Sequence, residues 1–99
     1  MEIDFRTNKL QKAYEKSVEA IKRWGPEVGK WYSRRLDEID AMQDFAEVMA
    51  YPPFHTHELT GNRKGQWTIT IIGKWRLIVV PSDNGMSLLV KEVSNHYGD

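Results

Sequence analysis

The chain has 99 residues, with fourteen Lys and Arg against fourteen Asp and Glu, no cysteine, and 40% hydrophobic residues that include four Trp, four Tyr and three Phe. That composition fits one domain over 1–99 with a modest core, and excludes a two-domain enzyme, a disordered segment, a disulfide scaffold and a cysteine nucleophile. A net charge of zero withholds the usual signature of a nucleic-acid binder; Glu2 and Asp4 stand where a secretory leader would be apolar, and the aliphatic run 77–80 is far shorter than the ~20 residues of a membrane span, so a cytoplasmic protein is expected.

In chain order, residues 2–6 alternate Ile3 and Phe5 with polar neighbours and read as a strand, followed by Thr7 and Asn8, good helix caps. Leu10, Tyr14, Val18, Ile21 and Trp24 then recur at steps of three and four and predict one amphipathic helix, ended by Gly25. Pro26 suits the first turn of a second helix, whose stripe is Val28, Tyr32, Leu36, Ile39 and Met42, so the pair reads as a helical hairpin. A short helical turn at 45–49 is expected, and Tyr51-Pro52-Pro53 stops helical structure.

Beyond Pro53 the period changes to two. Strands are expected at 54–59, 66–72, 75–80 and 86–93, with a glycine-bounded loop at 60–65, a two-residue turn at Gly73-Lys74 and a turn at 81–85. The fold class is therefore α+β: an N-terminal strand, a two-helix hairpin, then a four-stranded, mainly antiparallel sheet. With a two-residue turn, Ile71 stands opposite Arg76 and Ile69 opposite Ile78, which places Arg76 on the face of Trp67, Ile69 and Ile71. A guanidinium there must either snorkel to solvent or meet an anion.

Neutrality conceals segregated charge. Residues 5–35 carry nine cations against three acids, 36–50 carry five acids and no cation, and 51–76 carry four cations against Glu58 together with His55 and His57. The acids are expected on the solvent side of the second helix, facing away from any polyanion.

The residues able to carry chemistry are His55, His57, Arg63, Lys64, Arg76, His96 and Tyr97. His55-x-His57 would project two imidazoles to one strand face, yet Glu58 points the other way, so a metal site fits poorly. No nucleophile elbow is present, and 61–65 lacks the spacing and following helix of a phosphate loop. Histidines and cations suit one reaction well: cleavage of RNA through its own 2′-hydroxyl. The substrate supplies the nucleophile, and the protein supplies proton transfer and charge for the phosphorane, with no metal or cofactor required.

Pro52-Pro53, the run from His57 through Thr60-Gly61-Asn62-Arg63-Lys64-Gly65-Gln66-Trp67 to Ile69, then Gly73-Lys74-Trp75-Arg76-Leu77, and finally Val90 to His96 resemble HigB-type toxins of the RelE/ParE superfamily. The resemblance spans about 26–97. It implies a ribosome-dependent mRNA endoribonuclease acting in the 30S A site, neutralised by a HigA-like helix-turn-helix antitoxin through which alone it meets operator DNA. Position by position it implies His57, Arg76 and His96 as catalytic residues and Arg63 as a substrate-binding one; Lys64, which supplies a charge near the loop, Trp75 and Tyr97 are expected to bind substrate beside them. Thr60 replaces the family's loop lysine, and Ser94-Asn95 replaces the Asp-Tyr before the terminal histidine; Tyr97 can take over base stacking. The alternatives are a non-catalytic ParE-like toxin acting on DNA gyrase and an inactive antitoxin-binding relative. The cationic 5–35 segment suits either ribosomal RNA or an acidic stretch of antitoxin.

Overall fold

In the computed structural model, which describes residues 1–95, Thr7 caps the first helix as its sequence suggests: its Oγ1 accepts from the Leu10 amide at 3.2 Å. The helix does not continue to Trp24. It ends as α1 (Asn8–Glu15), Lys16 is extended (φ −131°, ψ 107°), and α2 (Ser17–Trp24) begins afresh. The break re-phases the apolar stripe, so Val18 and Ile21 are exposed while Ala13 and Ala20 are buried. Close packing requires this. α2 and α3 (Pro26–Asp40) approach until a Cβ on Gly29 would stand 2.7 Å from the Ile21 amide nitrogen, leaving room only for small residues between them. Gly25, at φ 88°, turns the chain between the two helices in a conformation that other residues adopt with difficulty. The helical half is thus three helices and not a two-helix hairpin.

α4 (Phe45–Ala50) starts at Asp44, whose carboxylate accepts from the Glu47 amide at 3.1 Å. The two prolines end the α-helix but not helical geometry, because Pro52–Phe54 forms a 3₁₀ turn that buries Phe54 completely. The strand expected at 54–59 shrinks accordingly to β2 (His57–Glu58). His55 lies outside it with φ 47°, so His55 and His57 are not alternate residues of one strand.

The opening strand, β1 (Glu2–Phe5), joins the sheet as a fifth member. With β3 (Trp67–Ile72), β4 (Trp75–Pro81) and β5 (Ser87–Ser94), the order is β1-β5-β4-β3-β2, and every pairing is antiparallel except β1 with β5. Helices cover one face. Tyr32, Leu36 and Ile39 pack there against Ile69, Ile71, Leu77, Val79, Leu88 and Val90. The fully buried Tyr32 donates its hydroxyl to the Leu10 carbonyl at 2.7 Å, so the largest core side chain leaves no polar atom unpaired.

The acidic stretch is only partly solvated. Asp37 accepts from Tyr14 Oη at 2.7 Å, and half-buried Glu38 accepts from Arg35 at 3.0 Å and Tyr51 Oη at 3.2 Å.

Two strands carry an extra residue. Ile72 pairs with Trp75 across the Gly73-Lys74 turn as expected, but Thr70 then pairs with Arg76, leaving Ile71 as a bulge. On β5 the register steps from Glu92 opposite Ile78 to Val90 opposite Val79, leaving Lys91 as the second. An arginine from outside the strand pair meets each bulged carbonyl: Arg35 Nε donates to Ile71 O at 3.2 Å, and Arg6 Nε to Lys91 O at 2.9 Å. A bulge takes a residue out of the ladder, and these donors give its carbonyl a partner.

Candidate active site

One extra residue in a strand reverses the face of everything beyond it. The bulge at Ile71 therefore overturns the expectation that Arg76 shares a face with Trp67, Ile69 and Ile71. Arg76 instead stands between Thr70 on β3 and Ser94 on β5, on the face away from the helices. The next row on that face runs His57, Thr68, Ile78, Glu92 across β2, β3, β4 and β5. Strand spacing of about 4.8 Å and a two-residue rise of about 6.7 Å separate the Cα atoms of His57 and Arg76 by about 12 Å, within joint reach of their side chains.

The second row is covered. Leu59 and Ile78 are buried yet lie outside the helix-side core. The cover is the loop 59–66, whose 3₁₀ turn (Gly61–Arg63) presents Arg63 to Glu92 in an ion pair. Because Arg63 precedes β3 while Glu92 is on β5, the loop must lie across β3 and β4 to make that contact. Gln66 Oε1 accepts from Arg63 at 3.1 and 2.9 Å, and Glu58 Oε2 accepts from the Gly65 amide at 2.8 Å, which fixes the loop at both ends. Thr68 Oγ1 is buried beneath it without a hydrogen-bond partner.

His57 is exposed, with its Nδ1 3.2 Å from the His55 carbonyl. A carbonyl oxygen only accepts, so this contact is a hydrogen bond in the tautomer that carries its hydrogen on Nδ1, the form in which Nε2 is the basic nitrogen. The positive φ of His55, found among the described residues at no other non-glycine, aims that carbonyl at the ring. Arg76 is half-buried, and Nη1 donates to Gly73 O at 2.6 Å and Trp75 O at 3.1 Å, which orients the guanidinium over the β3–β4 turn.

The remaining expected residues fall elsewhere. Trp75 adjoins Arg76 in the strand, so it points to the opposite face, where it packs against the core; it does not join Arg76. Lys64 is exposed at the end of the 3₁₀ turn. His96 and Tyr97 lie outside the described residues. Sequence reasoning passed over Glu92 and Gln66, although an acid interrupting the apolar alternation of β5 was a usable signal. His57, Arg63 and Arg76 thus share one sheet face, an imidazole and two guanidiniums, with Arg63 held by Glu92 and Arg76 by the carbonyls of Gly73 and Trp75. That set can bind an oxyanion and move a proton beside it.

No family model and no curated relative matches the sequence. Solved structures do match the fold. The YoeB–YefM complex from Staphylococcus aureus aligns over 98% of this chain and 98% of the other at TM-score 0.61 and 18% identity. The YoeB/ParE toxin from Agrobacterium tumefaciens aligns over 98% and 100% at TM-score 0.59 and 18% identity. The chain has the YoeB/ParE toxin fold. YafQ from Escherichia coli BL21(DE3) shares it, at TM-score 0.59 and 15% identity over 94% of this chain and 90% of the other. Among the described residues, no helix of this toxin fold is long and apolar enough to cross a membrane.

Proposed function

We propose that this chain is the toxin of a type II toxin–antitoxin pair and cleaves mRNA on the ribosome. The observation that carries the reading is the placement of His57, Arg63 and Arg76 on the helix-free face of a YoeB/ParE toxin fold. His57 Nε2 takes the proton of a substrate 2′-hydroxyl, the 2′-oxygen bonds to the adjacent phosphorus, and the bond from phosphorus to the 5′-oxygen breaks. His96, two residues after Ser94 in sequence, is proposed to protonate that leaving oxygen. Arg76 binds the phosphate as its charge grows, and Arg63 exchanges the Glu92 carboxylate for it, so Glu92 stands in for the substrate anion. Lys64 adds a nearby charge, and Tyr97 a surface for base stacking.

The sequence blocks favour a HigB-type member with a HigA-like helix-turn-helix antitoxin. Solved YoeB–YefM complexes, one titled as a heterotetrameric toxin–antitoxin complex, support an antitoxin partner. The test is expression of the chain without antitoxin. Growth arrest with cleavage of translated mRNA is expected from the wild type, and neither from folded Arg76→Ala or His57→Gln; normal growth with intact mRNA in cells making soluble wild-type protein overturns the proposal. The replacement of Asp-Tyr by Ser94-Asn95 favours a second reading, a non-catalytic ParE-like toxin, for which inhibition of gyrase supercoiling by the purified chain is the discriminating result.

A further inference from the structure

A cationic concavity adjoins the sheet at β5, beside the Arg63–Glu92 pair. It is a cleft of about 200 Å³ between the start of α1, the end of α2 and β5, lined by Arg6, Lys9, Arg23, Trp24, Lys91 and Glu92 among others. A second hollow, lined by Lys9, Lys12, Glu19 and Arg23, shares Lys9 and Arg23 with it, so the two adjoin at those side chains and are together termed the channel. Five cations therefore converge on a channel with two acids, and one of those acids, Glu92, is already held by Arg63. None of the five enters either of the ion pairs formed among the described residues, Arg35 with Glu38 and Arg63 with Glu92.

Gathering unpaired like charges raises the energy of the free protein, and an anion in the channel relieves it. Several of the groups are also held in place. Arg6 Nε is fixed on the Lys91 carbonyl at 2.9 Å, which presents the rest of its guanidinium beside the cleft. Trp24 is anchored by Tyr32 at 4.6 Å between ring centroids, and the Arg23 guanidinium lies 5.6 Å from the Trp24 ring.

From this arrangement we infer that the channel binds the phosphodiester backbone of a single-stranded nucleic acid, as a second contact for the RNA whose cleavage is proposed above. Five cations around two adjoining hollows match a polyanion better than one free phosphate. Guanidinium beside indole offers a flat surface to bases, which an acidic peptide does not use. Glu92 borders both the cleft and Arg63, so a strand leaving the Arg63–Arg76 face enters the channel without leaving the surface.

The test is fluorescence anisotropy of the purified chain with a labelled twelve-nucleotide 2′-O-methyl RNA, which cannot be cleaved, titrated at several salt concentrations. Each phosphate contact on a single strand contributes about 0.7 to the slope of log affinity against log salt. Lys9→Ala/Arg23→Ala is expected to reduce that slope by about 1.4 and to weaken binding at least tenfold at 0.1 M salt. Lys22→Ala/Lys30→Ala, which removes the same charge from α2 and α3 outside the channel, is expected to change both less than half as much. Matching thermal melts establish that both variants are folded. An equal change in both variants, or none in either, overturns the inference. So does tighter binding of a twelve-residue polyglutamate with the same dependence on Lys9 and Arg23, which assigns the channel to an acidic protein. The RNA probe reads binding alone, so loss of the proposed cleavage activity leaves this result standing, and the reverse also holds.

Discussion

Arg35 Nε donates to the carbonyl of Ile71 at 3.2 Å, and Ile71 is the residue that loses its cross-strand partner where β3 changes register against β4. A side chain 36 positions away thus holds the bulge that turns Arg76 out of the core face. The same guanidinium pairs with Glu38 at 3.0 Å and lies 4.8 Å from the Trp31 ring centroid and 5.6 Å from that of Phe54, with its side chain only 12% exposed. Removing one partner of so enclosed a network leaves Glu38 and the Ile71 carbonyl short of donors. Arg35→Met is expected to cost about 3 kcal/mol of stability, and nuclear Overhauser contacts between Thr70 and Arg76 should give way to contacts between Ile71 and Arg76. Retention of the Thr70–Arg76 contacts in the folded variant would show that the bulge holds without Arg35.

Glu92 restrains Arg63, and the pair is substantially exposed, so its direct contribution to stability is small, about 0–1 kcal/mol. Glu92→Gln is therefore expected to melt within a few degrees of the wild type while binding RNA several-fold more tightly, because Arg63 is released and a negative charge is removed. Unchanged or weaker RNA affinity would mean that Arg63 does not meet the phosphate.

Gly29 is the point of closest approach between α2 and α3. A methyl group there meets backbone atoms of Ala20 and Ile21 at 2.7 to 2.9 Å, which cannot rotate away. Gly29→Ala is expected to lower stability by about 1–3 kcal/mol despite the better helix propensity of alanine, as read by urea denaturation. A gain in stability would mean that the two helices separate freely.

Tyr14 and Tyr32 link α1 to α3, and both phenols titrate well above the ordinary tyrosine range. Burial is the main cause for each; for Tyr14 the hydrogen bond to Asp37 adds to it, while for Tyr32 the charge of Arg23 opposes it. The folded state keeps these protons after the unfolded chain begins to release them at pH ~10, so their contribution is complete below that pH and is lost as pH rises further. The melting temperature should fall steeply above pH ~10. Tyr32→Phe, lacking one titrating phenol, should be less stable at pH 8 but lose less between pH 9 and pH 11.

Local signals were well placed to report local structure. The Thr7 cap, the stripe of α3, the Gly73-Lys74 turn and the β-branched run of β3 were all legible, because each rests on propensity or periodicity within a few residues. His57, Arg63 and Arg76 stood out as chemistry-bearing residues, and the cationic 5–35 segment contains Arg6, Lys9 and Arg23, which only the tertiary structure brings to one cleft with Lys91. The face on which each side chain emerges was not legible in the same way. Parity counting assumes an unbroken ladder, and at Ile71 and Lys91 the ladder gains a residue whose carbonyl is satisfied by an arginine from a distant segment.

The amino-acid sequence by itself determined the element types, the apolar surfaces to be buried and the inventory of imidazoles and guanidiniums. Only the tertiary structure decided that α1 and α2 are separate helices, that β1 closes the sheet beside β5, and that Arg76 faces away from the helices with His57 while Trp75 faces the core. Those outcomes depend on close packing and hydrogen bonds between residues far apart in the chain, where no local period carries the information.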